Sequence, residues 1–246
     1  MLRYYVAIPA SFSMKLMSLL YKSKGMRSKE RSLKTFVEFT PQQERIHASL
    51  HILGIFFGII GVPLLVFSAL SKDAYSLLGI SIYGVCYLMV FIFSSLYHSS
   101  TDKKIKRLYL KLDRISIYFL IAGTYTPLIK FYVFNDDGIN MLKILWCLVI
   151  LGIYFEIQFP DRFRAISVVF YLFMGLIFLF LPVNLFGSMP PYIGTLVITG
   201  IVLYAIGVFF YLWHRWKYHH ALWHIFVLSA SIFHYMAVLR TIEMLK

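Results

Sequence analysis

Hydrophobic segments of about 20 residues recur along almost all of the chain after residue 46. At 1.5 Å per residue, each segment is long enough as a helix to cross a hydrocarbon layer of about 30 Å. The composition agrees, since 60% of the 246 residues are hydrophobic and only 14% are charged. Soluble globular domains do not have such a composition. The sequence therefore predicts an all-α integral membrane protein.

Seven hydrophobic segments can be distinguished, and short polar connections separate them. They comprise residues 47–70, 76–100, 112–134, 139–158, 165–185, 192–213 and 220–239. Connections this short leave no room for a separate soluble domain. We expect a seven-transmembrane-helix bundle over residues 44–246, preceded by a basic cytoplasmic arm over residues 1–43. A cleaved signal sequence is the alternative interpretation of the start of that arm.

Lysine and arginine are unequally distributed between the two sides of this topology. Nine lie in the segment that ends at Arg45, ten flank the second, fourth and sixth connections, and five lie on the other side. By the positive-inside rule, the N-terminus is cytoplasmic and the C-terminus is outside. The net charge of +13 is concentrated beside the spans, so its predicted partners are anionic lipid headgroups and not nucleic acid.

Ionisable side chains inside spans are costly in lipid, so each needs a reason. Four polar groups occur near helix ends: Glu44, His47 and His51; Ser94 and His98; Asp113; and His220 and His224. The first, third and seventh spans begin in the cytoplasm and the second ends there. All four groups therefore lie at one depth, which favours a single shared site.

The histidine spacing predicts a metal site. His220 and His224 are four residues apart, so both imidazoles lie on one helical face, and His98 offers a third nitrogen from another helix. Three histidines with an open fourth position are typical of catalytic zinc. Asp113 and Ser94 would then orient a water molecule at that position or exchange a proton with it.

Simpler roles remain open for the same residues. His98 alone is equally compatible with a hydrogen bond between helices, and Glu44, His47 and His51 with a polar cap on the first helix. His234 lies ten residues beyond His224, about 15 Å along the axis, so we expect it to bond another helix. A further pair in the sixth connection is expected to be solvated: His214 and His219.

Four stretches resemble the hemolysin III family, the bacterial branch of the progestin and adipoQ receptor group. They are ERIHASLHILG (44–54), SSLYHSS (94–100), LDRISIYFLIAGTYTPL (112–128) and HALWHIFVLSASIFHYMAVL (220–239). The resemblance implies a seven-helix bundle in the plasma (inner) membrane of a bacterium, with zinc on the cytoplasmic side. The implied ligands are His98, His220 and His224, with Ser94 and Asp113 near the zinc.

One position departs from the resemblance. His47 stands where the bacterial pattern usually has Asn. Whether the first helix only supports the site or contributes an additional imidazole is therefore open.

Three functions are compatible with these residues. Relatives in the wider group resemble ceramidases, which favours a zinc-dependent hydrolase that cleaves an amide or ester bond in a membrane lipid and so affects lipid composition. The family's name suggests a hemolysin-like pore, although the spans are strongly apolar outside the one polar cluster. A non-catalytic membrane sensor with a structural zinc is the third possibility.

Overall fold

The computed structural model describes residues 39–159, 164–181 and 183–244, with the side chains of residues 164–166 excepted. This part of the chain is entirely helical and contains seven α-helices and one short 3₁₀-helix. The helices are α1 (Pro41–Ala69), α2 (Ala74–Ser99), α3 (Lys103–Tyr132), α4 (Asp136–Gln158), α5 (Arg164–Gly175), the 3₁₀-helix (Ile177–Leu179), α6 (Pro191–Leu212) and α7 (His219–Met244). Most of the predicted arm, residues 1–43, lies outside the described residues and stays a prediction.

Side-chain caps define where four of the helices begin. Thr40 and Gln43 form a reciprocal capping box at the start of α1. Asp73, Asp102 and Asn135 each accept hydrogen bonds from backbone N–H groups in the first turns of α2, α3 and α4. These N–H groups have no partner within the helix itself, so a short polar side chain before each apolar run fixes the start of the helix.

Within the described residues, five helices are both long and apolar enough to cross a membrane: α1, α2, α4, α6 and α7. Helix α3 has the length, but its first turns carry several charged residues. Residues 101–107 were predicted to form a polar connection, and this was wrong for residues 103–107. They are helical, because the Asp102 cap starts the helix at Lys103. The third apolar segment is therefore the later part of a longer helix, and the count of seven spans stays a prediction.

The fifth predicted span, residues 165–185, is not one continuous helix. Helix α5 ends at Gly175 after 12 residues, about 18 Å of helix, and a 3₁₀-helix follows. The hydroxyl of Tyr125 in α3 donates a 2.6 Å hydrogen bond to the carbonyl of Gly175. The backbone N–H of Leu179 bonds Leu176 instead of Gly175. At Gly175, a hydrogen bond from α3 therefore replaces the backbone hydrogen bond that would continue the α-helix.

The helices form one compact unit between Thr40 and Lys246. Helix α2 lies between α1 and α3, α3 also contacts α4 and α5, and α7 packs against α6 and α1. This order brings the first turns of α1, α3 and α7 to the same end as the last turn of α2. We call this end of the bundle the histidine end.

Candidate metal centre

Four imidazoles from three helices meet at the histidine end. His47 comes from α1, His98 from α2, and His220 and His224 from α7; all four are buried. Each offers one ring nitrogen, and these four nitrogens lie within 4.8 Å of one another. A group of buried nitrogen donors this close together has the chemistry of a metal site. We call these residues the four-histidine cluster.

The hydrogen bonds of His98 and His224 direct their Nε2 atoms toward each other. His98 Nδ1 lies 2.6 Å from a carboxylate oxygen of Glu44, which can only accept. His98 Nδ1 is therefore the donor, and the neutral ring has its lone pair on Nε2. That atom lies 3.1 Å from Nε2 of His224. Two ring nitrogens facing each other at this distance suit a shared cation.

His51 supports the cluster from outside. Its Nε2 lies 2.7 Å from Nδ1 of His224, on the side of that ring opposite to the Nε2 that faces His98. A metal-binding imidazole usually donates its other N–H to a neighbouring acceptor, which fixes its tautomer and orientation. His51 is placed to do this for His224, as Glu44 is for His98.

Two contacts fasten the first turn of α1 to the rest of the histidine end. The second carboxylate oxygen of Glu44 forms a 2.6 Å ion pair with Lys106 of α3. The side-chain amide of Gln43 donates a 2.5 Å hydrogen bond to the carbonyl of Lys217, in the connection before α7. These contacts hold α1 in the register that brings His47 into the cluster.

The two residues predicted to handle water or a proton lie beside the cluster and are not part of it. Ser94 Oγ is 2.9 Å from Nε2 of His51. Asp113 lies close enough to Ser94 and His98 to interact with both, but it is not among the grouped donor atoms. The catalytic roles of Ser94 and Asp113 stay predictions, as do the ligand roles of His98, His220 and His224.

The other histidines give mixed results. His234 Nε2 lies 3.2 Å from the carbonyl of Val197 in α6, which confirms the predicted hydrogen bond to another helix. His214 is exposed, as expected for a solvated loop residue. The same expectation was wrong for His219, which begins α7, is buried and lies 3.2 Å from the carbonyl of Phe210.

A polar group at the histidine end was missed by the sequence analysis. Glu156 of α4 is buried, pairs with Arg114 of α3 at 3.4 Å and accepts a 2.6 Å hydrogen bond from Ser167 of α5. It connects three helices next to Asp113. An acidic residue inside an apolar segment was a signal available in the sequence.

Comparison with known proteins gives a consistent set of similarities. The profile of the family described as Haemolysin-III related matches residues 39–235. The chain is 36% identical to the Hemolysin-3 homolog of Bacillus subtilis (strain 168) over 202 residues, 82% of this chain and 95% of that protein.

Two further relatives extend this result. Hemolysin-3 of Bacillus cereus is 33% identical over 199 residues, 80% of this chain and 91% of that protein. Monocyte to macrophage differentiation factor of Homo sapiens is 29% identical over 188 residues, 72% of this chain and 77% of that protein. No solved structure matches significantly. The family match over residues 39–235 includes the histidine-bearing parts of α1, α2 and α7.

Proposed function

Since this chain belongs to the Haemolysin-III related family and is a multi-pass integral membrane protein, we propose that it is a zinc-dependent hydrolase of membrane lipids. The bond cleaved is an amide or an ester, as in the ceramidase-like chemistry of the wider group. The single observation that carries the proposal is the convergence of buried imidazoles beside a carboxyl group. The host membrane is the inner membrane of a bacterium, as the Bacillus relatives favour.

The residues that would hold the zinc are His98, His220 and His224. Their nitrogen donors and burial fit zinc, which accepts imidazole ligands without a redox change. When bound, zinc supplies Lewis-acid polarisation of a carbonyl group and a nucleophile at neutral pH. Glu44 and His51 orient two of the imidazoles through their Nδ1 atoms.

Two further side chains, Asp113 and Ser94, take part in the proposed reaction. Asp113 accepts and passes on a proton, and Ser94 positions a reacting oxygen with its hydroxyl. Both lie beside the cluster and close to each other. A positioned general base contributes about 10²- to 10⁴-fold to the rate of such a reaction. A buried site at one end of the bundle also suits a lipid that reaches it from the adjoining leaflet.

Turnover of defined lipids tests the proposal. We expect purified, zinc-loaded protein to hydrolyse a fluorescent ceramide or ester lipid in mixed micelles. Asp113→Asn should lower turnover by about 10²-fold or more while zinc stays bound. His220→Ala should lose both turnover and zinc. His214→Ala, which changes an exposed histidine outside the cluster, is the matched control.

Two results would contradict the hydrolase. One is full turnover by Asp113→Asn or by the chelator-treated protein. The other is steady conductance in planar bilayers that does not depend on His98, together with no turnover, which would favour a pore.

A sensor with a structural zinc is the second candidate, and one observation favours it. Four imidazoles converge where three would suffice for a catalytic site. A full set of four protein ligands is typical of structural zinc sites. Zinc content without hydrolysis of any lipid class would support this candidate.

A further inference from the structure

His47 lies inside the histidine cluster and not at its edge. His47 is fully buried, with 0% exposure. Its ring centre lies 4.8 Å from those of His98 and His220 and 5.3 Å from that of His224. It is the member of the cluster that α1 contributes. Its distances to the three predicted ligands are as short as the distances among those ligands.

The six distances between the four ring centres approximate a tetrahedron. They range from 4.4 Å to 5.4 Å. Four nitrogens at about 2.05 Å from a tetrahedral zinc are about 3.3 Å apart, and ring centres about 1.1 Å farther out are about 5.1 Å apart. The cluster therefore has the size and shape of a four-imidazole zinc site.

Aromatic packing alone would not account for this arrangement. Rings in edge contact also have centres about 4.5–7 Å apart, but such packing does not require the nitrogen atoms to converge. Here one nitrogen of every ring lies within 4.8 Å of the other three, and the Nε2 atoms of His98 and His224 are 3.1 Å apart. The widest separation must close by about 1.5 Å to reach the tetrahedral spacing. Small side-chain rotations provide a movement of this size.

His51, the other histidine of α1, is not in a position to be the fourth ligand. Its Nε2 is engaged by Nδ1 of His224 at 2.7 Å and by Ser94 Oγ at 2.9 Å. Its ring centre lies 6.2 Å from that of His98. His51 therefore faces the outer side of the His224 ring, whereas His47 faces the inner side of the cluster.

We infer that His47 is the fourth metal ligand of this protein and closes the coordination position that His98, His220 and His224 leave open. The inference rests on the zinc binding in the proposed function and adds a way in which access to the metal would be controlled. With His47 bound, a solvent or substrate oxygen would reach the fourth position only if His47 left it. The contacts of Gln43 with the Lys217 carbonyl and of Glu44 with Lys106 hold α1, and so His47, in place.

X-ray absorption and cobalt spectroscopy on the full-length protein in detergent test this inference. The zinc-loaded wild type should show four imidazole nitrogens, and the cobalt-loaded wild type should show no spectral shift on addition of azide. His47→Asn should show three imidazoles and one oxygen, an azide-dependent shift, and zinc affinity lower by about 100-fold or more, beyond the usual loss for an orienting residue. His214→Asn, outside the cluster, should behave as the wild type.

Each outcome decides between defined alternatives. Three imidazoles plus an oxygen in the wild type, with the same azide response as His47→Asn, would overturn the inference and leave the hydrolase intact. Four imidazoles without lipid turnover would uphold the inference and overturn the hydrolase. A wild type that binds no metal would overturn both. If His47→Asn does not fold, the ligand count and azide response of the wild type still decide, because they need no substitution.

Discussion

Each carboxylate oxygen of Glu44 contacts a different nitrogen donor at the histidine end. One carboxylate oxygen orients His98 through Nδ1 at 2.6 Å, and the other pairs with Lys106 at 2.6 Å. The charge on Lys106 offsets part of the cost of burying this carboxylate. Glu44 is therefore placed to set the direction of the His98 lone pair and to fasten α1 to α3.

We expect Glu44→Gln to lower zinc affinity by about 10- to 100-fold, because the His98 imidazole loses its charged acceptor. A competition titration of the purified protein with a chromogenic chelator measures this change. Glu243→Gln is the matched control, since Glu243 forms an exposed ion pair with Arg240 in the last turns of α7. Equal affinity in wild type and Glu44→Gln would show that the carboxylate does not orient the ligand.

At the scale of elements, α1 approaches its neighbours through glycines. Gly54, Gly58 and Gly61 lie on the side of α1 that meets aromatic rings of α2 and α7. The ring of Tyr235 packs against Gly61, and its hydroxyl donates a 3.0 Å hydrogen bond to the Gly61 carbonyl. Small residues allow close helix packing in membranes, where apolar burial does not by itself favour association. This packing sets the distance from α1 to α7 and so places His47.

Gly54→Ala should destabilise the bundle, because the added methyl group would overlap the ring of Phe91. Overpacking of this kind costs about 1–3 kcal/mol in the free energy of unfolding. Thermal unfolding in detergent, followed by fluorescence-detected size exclusion, measures the loss. Gly175→Ala is the control, since a methyl group at Gly175 meets no atom within 4 Å. A Gly54→Ala protein as stable as the control would mean that Phe91 moves aside without cost.

At the scale of the whole molecule, the orientation in the membrane stays a prediction with a direct test. With lysine and arginine concentrated on one side, the positive-inside rule places the N-terminus in the cytoplasm and an odd number of spans places the C-terminus outside. Alkaline phosphatase fused after Lys246 should be active, because it folds only in the oxidising outer compartment. A fusion truncated in the second connection, near Asp102, should be inactive. An inactive fusion after Lys246 would require an even number of spans.

Much of the fold was predictable because its causes are local. Apolar segments of membrane length predicted five of the seven described α-helices to within a few residues at most of their ends, and capping residues such as Asp73 mark the starts. Two features did not follow from the apolar pattern. Helix α3 extends well beyond its apolar segment because the Asp102 cap starts it at Lys103, and hydrophobicity does not report a cap. Helix α5 ends at Gly175, whose carbonyl accepts a hydrogen bond from Tyr125 in another part of the chain.

The sequence by itself determined that the protein is helical and membrane-embedded and that the histidines in the first turns of α1 and α7 and the last turn of α2 share one depth, because span length and side-chain spacing are local properties. His47 and His51 are four residues apart and lie on one face of α1, so no periodicity distinguishes them. Only the tertiary structure decided that His47 enters the four-histidine cluster and that His51 supports His224 from outside. The physical reason is the packing of α1 against α7, which brings two residues of one helical face to opposite sides of the same imidazole.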